Sequence, residues 1–174
     1  GVVYNGVDVD AVAAAPDPAA ARRELDQARP HLDASVLLRI PFVHVEVEWL
    51  RGLVALGCAE HATGAERAAL LREARRHAAT IDGHRMRAGE AWAAQLRAGV
   101  HRLEGDAERA ATELRAAVDR LEATHTSLYA CAARRRLGEL LGGSQGQALI
   151  DRADADLRAR EVVDPRRFSS MFAG

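Results

Sequence analysis

Residues 96–121 read LRAGVHRLEGDAERAATELRAAVDRL, and this stretch decides the fold. Apolar and small residues recur every three or four positions on both sides of Gly105–Asp106, which is the period of an amphipathic α-helix. Gly105–Asp106 interrupts this pattern and is read as a turn between the two helical stretches. The stretch therefore predicts two helices folded back on each other across a tight turn.

Similar hairpins are predicted on both sides of this one. Residues 63–66 have the S/T-x-x-E form of a capping box, and the helix they begin is expected to exit through a left-handed residue at 82–83. Another apolar pattern ends at 142–143, where residues 144–147 offer a second capping box. Asp-Pro at 164–165 opens a last short helix, so the chain predicts about seven helices and a terminal turn.

The N-terminal part is divided at Asp17. Residues 1–15 show no sustained period and are expected to form a loosely ordered arm, and residues 16–174 a single domain. Asp17 is a suitable cap with Pro18 in the first helical position. The first helix is expected to reach about residue 28 and to bend or end at Pro30.

The segment 39–60 is ambiguous, because residues 42–48 alternate like a strand. Two apolar stripes nevertheless continue at helical spacing beyond the length of a short strand. We therefore expect a helix that is apolar on two sides and lies between neighbours. The first stripe contains Val43, Val47, Leu50 and Val54, and the second Val45, Trp49, Leu53 and Leu56.

Composition restricts the classes of function. All 24 basic side chains are arginine, and the formal net charge is −1. The basic field on which nucleic-acid binding depends is therefore absent. No apolar run approaches the roughly 20 residues of a membrane span, and we expect a cytoplasmic protein. Cys58 and Cys131 lie inside apolar helical patterns and are expected to be small core residues, not a disulfide or a metal pair.

No catalytic motif is visible. The chain has no Gly-rich phosphate loop and no H-R-D or D-F-G motif. His44 and Glu48 share a helical face, but two ligands do not make a zinc site, so a polar helix face is the preferred interpretation. We expect no cofactor and no metal.

The central hairpin resembles a tetratricopeptide repeat. With Gly105 as the turn glycine, the following helix has small, large, small and aliphatic residues in the expected order, and Leu137-Gly138-x-x-Leu141 resembles the signature of a first repeat helix. The residues are Ala110, Leu114, Ala117 and Val118. The resemblance implies an all-α fold of antiparallel hairpins stacked as a right-handed solenoid.

The places where the repeat pattern breaks are candidates for partner binding. Arg97 and His101 replace expected apolar residues, and Trp92 precedes the consensus tryptophan. Arg134, in the run 134–136, could grip carboxylates or phosphates in a bidentate way. The alternative for this run is a solvated face paired with Glu139.

Residues 132–143, AARRRLGELLGG, and the ending Asp164-Pro165-Arg166-Arg167 with Met171 resemble the carboxyl-terminal helical region of large bacterial serine/threonine kinases and related ATPase regulators. That resemblance implies a protein-interaction or sensory tail of a longer signalling protein. Any kinase or ATPase activity is then expected upstream of Gly1.

Two hypotheses of function follow. The first is a non-catalytic module that binds a protein segment in the groove of stacked hairpins. The alternative is a sensory domain that binds a small effector in an apolar pocket walled by Trp49 and Trp92. Residues 165–172 could cap the last hairpin or pack on a second copy, so a homodimer stays open as well.

Overall fold

The computed structural model describes residues 3–4, 7–8, 17–124 and 126–172, with side chains described for 17–124 and 126–170. In these ranges the chain is all-helical apart from β1 (Val3–Tyr4) and β2 (Val7–Asp8), which pair antiparallel. The α-helices are α1 (Pro18–Asp33), α2 (Pro41–His61), α3 (Gly64–Gly83), α4 (Arg87–Leu103), α5 (Ala107–Ala123), α6 (Ser127–Leu141), α7 (Gly143–Arg158) and α8 (Pro165–Phe172), with a 3-10 helix at Val36–Arg39. Each helix from α1 to α7 packs against the next one. Of the predicted arm, residues 1–15, all but the two strands lie outside the described residues.

Helix α1 begins where predicted but ends later. The Asp17 carboxylate accepts from the Ala19 amide at 2.9 Å. The helix continues through Pro30 to Asp33. The prediction that it ends near residue 28, at Pro30, was therefore wrong. Pro30 lies in the last turn, where it removes only one helical hydrogen bond, and burial of Leu32 beyond it favours the added turn.

Helix α2 resolves the strand-or-helix ambiguity in favour of the helix. Val47 and Val54 pack on the small cluster around Leu25 in α1. Val45, Trp49 and Leu56 lie on the other side, in the main core. Helix α2 thus lies between neighbours, as its two apolar stripes predicted.

Helices α2 and α4 run parallel, and the residues in contact differ in number by a nearly constant amount. Trp49 stacks on Trp92, and Gly52 and Gly99 receive Leu96 and Leu56 respectively. A Cβ atom at Gly99 would lie 2.6 Å from Leu56 Cδ1, so the glycines let the two helices interlock. Partners are separated by about 43 residues, which is longer than the roughly 34-residue tetratricopeptide period and falls in the range of longer helix-hairpin repeats.

The central turn is as the sequence predicted. Gly105 has φ +84°, and the Asp106 carboxylate accepts from the Arg109 amide at 3.0 Å. Thr63 is the N-cap residue of α3, although its hydroxyl accepts no capping bond. The left-handed residue after α3 is Arg85, with φ 51°, and not Gly83, which remains helical.

The capping box predicted at Ser144 is absent, because Ser144 already lies inside α7. Gly142 and Gly143 have φ near +60° and reverse the chain within one residue, so α7 begins at Gly143. A Cβ at Gly138 would lie 2.6 Å from the Gly146 carbonyl oxygen. The α6 and α7 backbones are therefore in direct contact at this crossing.

Helix α8 starts at Pro165, and the Asp164 carboxylate accepts from the Arg167 amide at 2.9 Å. It packs on α6 and on α7. This is the capping arrangement expected for residues 165–172, although the side chains of Met171 and Phe172 lie outside the described residues.

Candidate functional site

Arg97 and His101 lie together in a shallow groove between α3 and α4 of about 250 Å³. Arg97 donates to Asp82 at 2.6 Å and pairs with Glu113 at 3.1 Å. Burial by itself would lower the pKa of this guanidinium, but the two carboxylates raise it above its ordinary value. Arg97 therefore ties α4 to α3 and α5, which leaves little of its charge for a partner.

Trp92 lies in the core and not on a groove surface. Trp92 is only 2% exposed. Its ring stacks on that of Trp49, with 5.0 Å between the ring centroids and 14° between the ring planes. Tyr129 meets both indoles edge-on. The two tryptophans predicted as walls of an effector pocket thus lie in contact, so they fill the space between α2, α4 and α6.

Arg134 is also buried, at 7% exposure, and is neither an open anion site nor part of a solvated face. It donates to Glu122 in α5 and to Asp156 in α7, the latter at 3.1 Å. Arg135 similarly pairs with Asp154 at 2.8 Å and with Glu139. Glu122, Asp154 and Asp156 come from the helices on both sides of α6, and no spacing within α6 could have revealed them. Glu139 lies on α6 itself and is the partner that the sequence predicted for the run 134–136.

The metal interpretation considered for His44 and Glu48 is replaced by a buried ion-pair network between α2 and α3. His77 Nδ1 donates to Glu48 Oε2 at 2.8 Å, and Arg51 bonds the other oxygen at 3.1 Å. Burial alone would raise the pKa of Glu48, but the bonds and charges of His77 and Arg51 hold it below its ordinary value. No local pattern singled out His77, because its partner Glu48 lies on another helix, so its role here was missed. In the part of the chain that the structure describes, no group of three side chains could hold a metal ion.

A recess with an apolar floor lies where α4, α5 and α6 meet, and we call it the aliphatic recess. It measures about 290 Å³. Its floor combines small and aliphatic side chains, and its rim is charged. The lining residues are Ala98, Gly99, Arg102, Ala110, Leu114, Arg136, Glu139 and Leu140.

A second recess, the basic recess, adjoins the first on α6 and is formed with α8. It measures about 520 Å³ and is lined by Arg136, Glu139, Asp164, Arg166, Arg167 and Ser170. Arg136 and Glu139 line both recesses and bond each other at 2.7 Å. Neither Arg166 nor Arg167 forms an ion pair with any side chain of 17–124 or 126–170.

Sequence reasoning did not single out Arg166 and Arg167 as binding residues. A signal was nevertheless present, because neither arginine has a carboxylate four residues away on its helix to neutralise it. Their approach to Arg136 depends on the packing of α8 against α6, which no local pattern shows.

Comparisons of the chain with protein-family models, curated proteins and solved structures found no match. No helix within the described ranges is both long and apolar enough to cross a bilayer.

Proposed function

We propose that this chain is a non-catalytic protein-interaction module, built as a tetratricopeptide-like right-handed solenoid, that binds a segment of a partner protein. We further propose that it is the C-terminal regulatory part of a larger bacterial signalling protein such as a serine/threonine kinase. In such arrays neighbouring hairpins share a continuous core and leave recesses between them. The parallel register of α2 and α4 and the sequential packing of α2 to α7 support this architecture.

One observation carries the binding proposal: the aliphatic recess and the basic recess adjoin on the surface of α4, α5, α6 and α8. An extended or helical segment can span two adjoining recesses, with apolar anchors in one and polar contacts in the other. The contact between Trp49 and Trp92 argues against the small-effector alternative, because no enclosed pocket is left between them.

A selection of displayed peptides on the immobilised 174-residue chain tests the binding proposal. We expect peptides that saturate at one site per chain in isothermal titration calorimetry. A chain that retains no peptide, while a metabolite raises its melting temperature by mass action, would instead support the effector domain.

The biological setting has a separate test. The gene sequence immediately upstream of Gly1 is expected to encode a kinase or ATPase domain. A gene that encodes neither contradicts this part of the proposal and leaves the binding proposal intact.

A further inference from the structure

The surface formed by the two recesses is amphipathic. At one end the floor is Ala98, Gly99 and Ala110, with Leu114 and Leu140 beside them. Small side chains at this helix junction leave a depression that an aliphatic side chain can occupy without disturbing the backbone. At the other end Arg166 and Arg167 are exposed on α8.

The charges along this surface are unbalanced. Arg102 is paired with Glu60 of α2, and Arg136 is paired with Glu139. Asp164 is the other carboxylate in the basic recess, and one of its oxygens already caps the Arg167 amide. Neither Arg166 nor Arg167 forms an ion pair among the described side chains, so the recess holds three arginines against two carboxylates.

This positive end stands out because the whole chain carries a formal net charge of −1. Overall charge thus gives no general attraction for anions, and any preference must come from the local surface. Guanidinium groups bind carboxylates in a bidentate geometry, which adds orientation to attraction.

We propose that this surface binds a protein segment in which an aliphatic side chain is followed within a few residues by carboxylates. The aliphatic side chain enters the aliphatic recess, and the carboxylates reach Arg166 and Arg167. This inference rests on the proposed function and adds the chemistry of the partner to it. A free phosphate satisfies the arginines but leaves the aliphatic recess empty, so the adjoining recesses favour an acidic, aliphatic peptide.

The test uses the intact chain and a library of random 12-residue peptides. We expect the selected peptides to be enriched in Leu, Ile or Val together with Asp or Glu. One selected peptide is then measured by fluorescence anisotropy against the wild-type chain and against the double variant Arg166→Gln/Arg167→Gln. We expect the dissociation constant to rise roughly ten-fold or more, because two charge-assisted contacts are lost.

The matched control is Arg72→Gln/Arg76→Gln on α3. These two arginines are exposed and form no ion pair among the described side chains. Their replacement changes the net charge by the same amount as Arg166→Gln/Arg167→Gln. Binding by this variant should stay within about two-fold of wild type. Peptides with Asn or Gln in place of the acids, or Asn in place of the aliphatic residue, test each recess without altering the protein fold.

The outcomes separate the inference from the function on which it rests. Selected peptides that bind wild type and the Arg166→Gln/Arg167→Gln variant equally, or that are basic, overturn the inference but support peptide binding elsewhere. If no peptide is selected, both fail. An RNA oligonucleotide or inorganic phosphate that binds in place of peptides, and requires Arg166 and Arg167, also overturns the inference.

Discussion

Two helix junctions in this chain achieve similar packing with different chemistry. Between α2 and α4 the contact is apolar, with Trp49 stacked on Trp92 and Leu56 packed against Gly99. Around α6 ion pairs are added to an apolar contact, because Arg134 and Arg135 are buried between acidic residues of α5 and α7. Hairpin packing therefore constrains the size of side chains at a crossing more tightly than it constrains their polarity.

The largest expected effect concerns size at the crossing of α6 and α7. Gly138→Ala places a Cβ 2.6 Å from the Gly146 carbonyl oxygen, and a backbone atom cannot yield as a side-chain end can. We expect the free energy of unfolding to fall by about 3 kcal/mol in denaturant titrations. Gly83→Ala is the control, because a Cβ there meets nothing within 4 Å. If both variants are equally stable, the close crossing is not a constraint.

The ionic junction is tested by Arg135→Met, which keeps much of the side-chain volume and removes the charge. Asp154 loses its buried partner and Glu139 loses one of two arginines, so we expect a loss of about 2 kcal/mol. Arg152→Met is the control, since Arg152 is exposed and forms no ion pair among the described side chains. Because a buried pair is weakly screened, the loss should persist in 1 M NaCl; disappearance with salt contradicts burial of the pair.

Glu48 is a buried charged residue in the otherwise apolar packing of α2, and its contribution to the free energy of unfolding should depend on pH. Its pKa in the folded chain lies below the ordinary value of 4.5. The unfolded chain therefore binds the proton first as the pH falls, so the stabilisation is complete above pH 4.5 and is lost as the pH falls through the folded pKa.

We expect Glu48→Gln to cost about 1.5 kcal/mol at pH 7 and progressively less below pH 4.5. Denaturant titrations of both proteins across this range measure the difference. The neighbouring Glu46, whose pKa is raised by burial, is present in both proteins and cancels in the comparison. A difference that grows as the pH falls below 4.5 contradicts the assigned ion pairs.

The smallest expected effect concerns Gln95, a polar exception on α4. Gln95 is 2% exposed, and neither its amide nitrogen nor its amide oxygen has a hydrogen-bond partner among the described residues. Gln95→Leu should raise the free energy of unfolding by about 1 kcal/mol, since it removes a buried unsatisfied group at similar size. Gln27→Leu, on the exposed face of α1, should leave stability unchanged. A loss of stability in Gln95→Leu indicates that the amide is satisfied in solution.

The difference between the two junctions also explains which features the sequence could predict. Helical period located α2 and the central hairpin, and the Gly105–Asp106 turn was found because its chemistry is local. Of the ionic junction, the sequence predicted only the pairing with Glu139 on the same helix, since Glu122 and Asp154 lie on other helices. Trp92 and Arg97 were selected as departures from a repeat pattern, and Arg134 was selected as part of an arginine run. Each is committed to packing or to an ion pair within the fold.

The basic recess illustrates the same limit. Arg166 and Arg167 are visible in the sequence as adjacent arginines that follow Asp164. Their proximity to the aliphatic recess requires α8 to fold back onto α6. A local pattern can therefore nominate charged residues, but only the packing of distant helices shows which of them share a surface.

The order in which the helices pack has a consequence for synthesis on the ribosome. Helices of this chain pack chiefly on partners one or two helices away. As each hairpin leaves the exit tunnel, the surface on which it docks has already been translated, so folding can advance from the N-terminus with each new hairpin. The basic recess is completed only once α8 has emerged, which is later than the contact between α2 and α4 can form.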